Sequence, residues 1–297
     1  MNTPEEFSLS KIKGSSGGAN TLLVLSSIYN SLTRTEKKIA DVIREDPEAV
    51  VYVTLTDLAE KAGTGETSVL RLCRKIGFKG YQEFKLSLAQ DLVVPIRNVH
   101  SEIEETDDLR AMADKITVEN TQAIENTLKL LDMGQMEKAI EAIGKANKIY
   151  FFGVGSSANT AMDGKYRFMR LGFNTEVIND PHIMAMTSAL MRDDDVVFAV
   201  STSGSTKDVV DAIRLAKTKR IFFICLTSHL RSPLTQYADV VLLSKSRETP
   251  LQGGAFSSKL SQIHVLDILT TATAIRFKEK AYDALERTSK AVVDKIY

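Results

Sequence analysis

Two short loops carry residue types that could hold an anion. Ser201-Thr202-Ser203-Gly204-Ser205-Thr206 places five hydroxyl side chains and a glycine between an apolar run and an amphipathic stretch. At such a strand-to-helix turn, hydroxyls and free backbone N–H groups donate to phosphate oxygens, and a glycine lets the main chain approach closely. Gly153-Val154-Gly155-Ser156-Ser157-Ala158 offers a similar turn earlier in the chain. Read literally, its G-x-G-x-x-A order is also the dinucleotide fingerprint, with Glu176 or Asp180 near the spacing of a ribose-binding acid. A dinucleotide site has no use for a second hydroxyl-rich cradle, so the second loop favours a phosphate ester. It is not a P-loop, because Lys207 follows Thr206 instead of preceding it. A structural alternative stays open for each loop: a tight strand-to-helix turn for the first, a Ser/Thr-rich helix cap for the second.

The other chemistry-bearing segment is basic. Thr56 to Gly63 reads as a short capped helix ending in glycine, and Glu66 to Ile76 as a second helix two residues on. Val69, Leu72, Cys73 and Ile76 fall at i, i+3, i+4 and i+7 and face a core, which leaves Thr67, Ser68, Arg71 and Lys75 on the opposite side. Arg71, Arg74, Lys75, Lys79 and Lys85 are set against Glu83 alone. Those types read bases and contact phosphates. An ordinary helical hairpin with a solvated basic face is the alternative.

The elements that position these segments differ between the two halves of the chain. From Leu22 to about Leu92 every recognisable segment reads as helix. From Lys148 onward apolar strands (148–154, 174–179, 195–201, 220–228, 239–244) alternate with helices (158–171, 182–191, 207–217, 233–237, 258–277). Strands apolar throughout predict a parallel sheet covered on both faces, with ligands beyond the strands' carboxyl ends. The expected fold class is α/β: an all-α helix-turn-helix domain followed by a doubly wound five-stranded parallel sheet. The expected boundaries are a flexible tail over 1–20, a helix-turn-helix domain over 21–98, a linker and connecting helix over 99–131, and a phosphate-binding domain over 132–297.

Bulk composition narrows the classes. The 297 residues suit two domains, and the 38 basic residues balance the 38 acidic ones, so any DNA-binding charge is local. Cys73 and Cys225 sit apart in apolar-patterned segments and read as packing residues in a reducing cytosol. No apolar run approaches the roughly 18 residues of a membrane span, and the N-terminal segment lacks a signal peptide's apolar stretch, so a cytoplasmic protein is expected.

The segments LTRTEKKIADVI (32–43), TDLAEKAG (56–63) and ETSVLRLCRKIGFKGYQEFKLSLAQDL (66–92) resemble the N-terminal domain of RpiR-type bacterial regulators. The two hydroxyl loops and SSKLSQIHVLDIL (257–269) resemble the SIS (sugar isomerase) domain, a phosphosugar-binding fold. One departure is Thr64-Gly65, where family members usually carry Val-Ser; it leaves operator sequence and affinity non-transferable. The helical pattern and the local basic excess, which the resemblance supports, give Thr67, Ser68, Arg71, Arg74, Lys75 and Lys79 as the expected DNA contacts. The resemblance implies that Ser201, Ser203 and Thr206 hold a phosphate with Ser205 flanking, and that Ser156 and Ser157 contact the phosphate or a sugar hydroxyl. His182, Glu248 and Lys259 match positions lining the sugar end of the pocket. By residue type alone, His182 is equally an exposed or capping histidine, Glu248 a solvated acid and Lys259 a surface lysine. His264 reads as a packed histidine or a subunit contact.

The expectation is a DNA-binding transcriptional regulator of carbohydrate metabolism genes, modulated by a sugar phosphate, with no catalytic residues, metal or cofactor. Its expected partners are an operator duplex, a sugar phosphate effector and further copies in a homodimer or homotetramer, with helices 109–131 and 258–277 supplying apolar stripes. No membrane partner is expected. The alternatives are a sugar-phosphate aldose-ketose isomerase and a nucleotide-dependent oxidoreductase.

Overall fold

The structure, a computed structural model, describes residues 21–92, 103–104, 106–245 and 256–295. Glu248 lies outside the described residues. Those described fall into two compact units, 21–92 in one and the remainder in the other.

The first unit is helical: α1 (Thr21–Ile28), α2 (Arg34–Glu45), α3 (Pro47–Tyr52), α4 (Leu55–Lys61), α5 (Glu66–Lys75) and α6 (Tyr81–Asp91). Local chemistry sets several starts. Thr33 caps α2 in a reciprocal box with Glu36, and Asp46 caps α3 ahead of Pro47 at its first turn. A second box, Thr54 with Asp57, starts α4 two residues earlier than the sequence pattern suggests. Thr56 is therefore inside the helix, and its hydroxyl donates to Glu66 Oε1 at 2.6 Å, tying α4 to the start of α5. Each such side-chain cap contributes roughly 1 kcal/mol by satisfying an N–H that the helix itself cannot. One continuous core joins Leu25, Ile39, Leu58, Val69, Leu72, Cys73 and Phe84.

The second unit opens with α7 (Leu109–Leu130) and α8 (Met133–Lys145), capped by Asp108 and Asp132. There follow β1 (Ile149–Phe152), α9 (Ser156–Arg170), β2 (Thr175–Ile178), α10 (Pro181–Leu190), β3 (Val196–Val200), α11 (Lys207–Ala216), β4 (Phe222–Thr227), β5 (Val240–Leu243), α12 (Phe256–Arg276) and α13 (Lys278–Lys290). All strands pair in parallel in the order β2-β1-β3-β4-β5. The order reverses between β1 and β3, and open α/β sheets bind ligands at such a switch point. One face is covered by α8, α9, α12 and α13 through Ile140, Phe168, Leu266 and Ala281. The other is covered by α10 and α11 through Met184, Val209 and Ile213.

The segment 233–237, expected as a helix, is only a 3-10 turn at Thr235–Tyr237, with Leu234 just before it buried in the core on the α10–α11 face. Helix α9 starts at Ser156 and not Ala158, which makes both serines first-turn residues. The apolar stripe of α12 goes to the core, where Val265, Leu266 and Leu269 are fully buried, and α7 packs against this helix. Among the described residues no helix is long and apolar enough to cross a membrane.

Candidate functional site

The two hydroxyl loops leave neighbouring strands at the same edge of the sheet. Phe152 at the end of β1 is in register with Ala199 of β3, so Gly153–Ser157 and Ser201–Thr206 emerge side by side. Each leads into a helix whose N-terminus has no side-chain cap: Gly155 for α9 and Thr206 for α11. Helix N-termini present unpaired N–H groups and the positive end of the dipole, the two features that favour a bound phosphate. By contrast α10, which begins at the same edge, is capped by Asp180 accepting from Ile183 N at 2.9 Å.

Glycine is required at two points. Gly155 adopts φ +59°, a backbone region that side chains disfavour. Gly204 combines φ +60° with a close approach: a Cβ there would lie 2.2 Å from Ser232 Oγ and 2.6 Å from Ser232 Cβ. Its carbonyl accepts from Leu234 N at 3.0 Å, so the loop is pinned from behind. Ser201 Oγ lies 3.1 Å from Thr206 Oγ1, a bond that closes the loop on itself and leaves α11 without a side-chain cap. Ser203 Oγ accepts from Ser205 N at 3.2 Å, and Ser205 Oγ donates to Ser203 O at 3.1 Å.

The residues named from sequence are placed as follows. Ser203, Ser205 and Thr206 are half-buried, Ser156 is exposed, and Ser157 and Ser201 are buried. His182 is exposed at the start of α10, beyond β2, which borders β1. Lys259 is half-buried on α12, with Nζ donating to Gln262 Oε1 at 3.0 Å and Thr160 Oγ1 at 3.3 Å. The structure therefore brings Lys259 to the second turn of α9, next to the first loop. Thr160 and Gln262 join this network and were not singled out in sequence, whereas Thr202 was counted among the loop's five hydroxyls without a role of its own. A Gln and a Thr inside apolar-patterned helices carry no motif, though Gln262 on the buried face of α12 was a polar residue at a core position.

The acids that a dinucleotide reading needs are engaged elsewhere. Glu176 forms an ion pair with Lys148 at 2.5 Å, and Asp180 caps α10. His264 is half-buried on α12.

In the first unit, α5 carries Thr67, Arg71, Arg74 and Lys75 exposed and Ser68 half-buried, while Lys79 is exposed in the turn before α6. Gly65, which has no side chain, gives α5 no side-chain cap. Lys75 is engaged within the unit: Nζ lies 2.9 Å from Glu36 Oε2, and the neighbouring ammonium, together with hydrogen bonds from Thr33, holds that carboxyl below its ordinary range against the opposing effect of burial. Lys85, counted from sequence among the basic residues, is buried with Nζ donating to Val53 O at 2.9 Å. Burial pushes its amine down to about 8, with Asp57 opposing. The basic surface thus narrows to Arg71, Arg74 and Lys79, with Lys75 at its margin.

A three-layer α/β unit with hydroxyl-rich turns at its switch point, carried with a unit containing a helix-turn-helix, is the make-up of a two-domain transcription regulator. The helix-turn-helix model of the rpiR family matches residues 19–94 and the SIS domain model matches 142–272. A protein of Haemophilus influenzae named as an uncharacterized HTH-type transcriptional regulator is 36% identical over 93% of this chain and 97% of its own. The HTH-type transcriptional regulator HexR of Escherichia coli is 30% identical over 92% and 94%. The solved structure of the Vibrio vulnificus NanR protein complexed with ManNAc-6P is 32% identical, with a TM-score of 0.84 over 93% of this chain and 99% of that one. The chain belongs to the rpiR family of HTH-type transcriptional regulators that carry a SIS domain.

Proposed function

We propose that the chain binds an operator duplex through α5 and its flanking basic residues, and that a phosphorylated sugar bound at the two strand-end loops modulates that binding without being turned over. One observation carries the effector half: α9 and α11 start at the ends of adjacent strands, each without a side-chain cap and each led by hydroxyl residues. In this reading Ser201, Ser203 and Thr206 hold the phosphate, Ser205 flanks it, and Ser156 and Ser157 contact it or a sugar hydroxyl. His182, Lys259 and Glu248 serve the sugar end. The bound ManNAc-6P named for the Vibrio vulnificus relative supports a sugar phosphate as the ligand class.

The DNA half assigns Thr67, Ser68, Arg71, Arg74 and Lys79 to the duplex, with Lys75 contributing charge beside its internal ion pair. A ligand shifts operator binding only if its affinity differs between the DNA-competent state and its alternative. A two-fold dimer of the chain would match a palindromic operator.

The test is a thermal-shift panel of inorganic phosphate, glucose 6-phosphate, fructose 6-phosphate and ManNAc-6P, because a ligand selective for the native state raises its apparent stability. At least one sugar phosphate is expected to stabilise the unmutated chain and to leave Ser203→Ala/Thr206→Ala unmoved. An equal shift in both proteins would place the ligand elsewhere.

A further inference from the structure

One buried amide links the two strand-end loops. Gln262 is fully buried on α12. Its Oε1 accepts from Thr160 Oγ1 at 2.8 Å and from Lys259 Nζ at 3.0 Å, while its Nε2 donates to Thr202 Oγ1 at 3.0 Å. The amide orientation is fixed by chemistry, because an ammonium only donates and must face the oxygen. Thr160 lies on α9, one turn beyond the first loop, and Thr202 lies within the second.

Packing alone does not call for this residue. One turn further along α12, the same buried face continues as Val265, Leu266 and Leu269, and a leucine would fill a helix-to-sheet interface without polar atoms to satisfy. The amide instead joins three polar side chains on three segments. Thr202 is also held through its backbone, since its carbonyl accepts from Ser228 N and Thr227 Oγ1. Its hydroxyl is thus committed to α12, while Ser203, Ser205 and Thr206 remain half-buried in the loop.

We propose that Gln262 is a positioning residue of the phosphate-ester site: it fixes Thr202, and with it the 201–206 loop, onto α12, and it holds the Lys259 ammonium one amide group away from that loop. The inference rests on the effector reading above. A neutral amide is suited to the task because a single group accepts from Thr160 and the Lys259 ammonium through its oxygen and donates to Thr202 through its nitrogen. A carboxylate at the same place would lose the donor to Thr202 and set a negative charge beside the site of an anionic ester.

The test uses the full chain and the best-stabilising ester of the panel, with affinity read by calorimetry and loop order read by amide hydrogen exchange without ligand. Gln262→Leu and Thr202→Val are each expected to weaken binding about tenfold, in line with one lost hydrogen bond, with the double variant little weaker than either. Gln262→Glu is expected to lose more, and Thr202→Ser to bind within about threefold of the unmutated chain because the hydroxyl is restored. Exchange at Gly204 and Ser205 should accelerate in Gln262→Leu while β3 stays protected. Thr270→Val, which removes another buried hydroxyl from α12, should leave affinity unchanged.

Unaltered affinity and exchange in Gln262→Leu, with Ser203→Ala/Thr206→Ala failing to bind, would overturn this inference and leave the effector reading standing. Equal losses in Thr270→Val would also overturn it, by showing a general effect on the helix. If Gln262→Leu fails to fold, Thr202→Val decides, and unmutated affinity there overturns the proposal. Failure of the unmutated chain to bind any panel member would overturn both readings together.

Discussion

Gln262 donates its side-chain N–H to Thr202 Oγ1 at 3.0 Å across 60 residues of sequence. The bond joins the last long helix against the sheet to the loop that follows its central strand. A hydroxyl in a candidate anion cradle is thereby made part of the interior. The loop's geometry is then set by the packing of α12 as well as by its own turn chemistry, the kind of outer support that keeps a binding site preorganised.

Gly204 gives the most severe single substitution. Its positive φ and its approach to Ser232 both reject a Cβ. Gly204→Ala should lose about 2–4 kcal/mol of stability, combining backbone strain with overpacking. Urea unfolding of the full chain followed by circular dichroism measures this, and a loss below about 0.5 kcal/mol would mean that the loop relaxes freely.

Arg71, Arg74 and Lys79 should act on DNA affinity and not on folding. Replacing each by Ala should lower the slope of log affinity against log salt by about 1 if that residue neutralises one phosphate, with the thermal midpoint unchanged. Lys75→Ala should differ, because its ammonium also holds Glu36. It should lower stability by about 0.5–1 kcal/mol while changing the salt slope less, as expected for a partly exposed pair. Fluorescence anisotropy of a labelled duplex at several salt concentrations separates the two behaviours.

Lys85 makes the helical unit's stability depend on pH. Its amine is pushed down to about 8 in the folded chain from an ordinary 10.5. Below pH 8 both states carry the charge and the burial penalty is complete, about 3 kcal/mol for a shift of this size. Between pH 8 and 10.5 the folded state releases its proton first, so stability rises with pH through that window. Lys85→Met removes the titration. The stability of Lys85→Met minus that of the unmutated chain should therefore fall from pH 7.5 to pH 9.5; a constant difference would contradict the assignment.

The fold was legible where pattern and punctuation agree. Apolar runs such as Val196–Val200 are buried throughout, and strands of that kind between amphipathic helices specify a doubly wound sheet. The motif loops fell at strand ends for the same reason. Helix starts were less legible: the α4 box uses Thr54, two residues ahead of the competing Thr56, and only the geometry shows which threonine caps. Charge was misleading at Lys85, whose residue type suggests solvent while its position on α6 points it at Val53 O. Gln262 was hidden because two of its partners, Thr160 and Thr202, come from distant segments, and no local spacing encodes such a contact.

The central claim is that one phosphorylated sugar, bound at the 201–206 loop, changes operator affinity. The direct measurement is anisotropy of a duplex from the gene's own upstream region, titrated with chain at fixed salt, with and without the stabilising ester, for the unmutated chain and Ser203→Ala/Thr206→Ala. The account predicts an ester-dependent shift in affinity of about fivefold or more for the unmutated chain, in the range of ordinary coupling energies, and none for the variant, with equal duplex affinity when ester is absent. Equal shifts in both proteins, or a saturating ester that leaves the unmutated chain's duplex affinity unchanged, would contradict it.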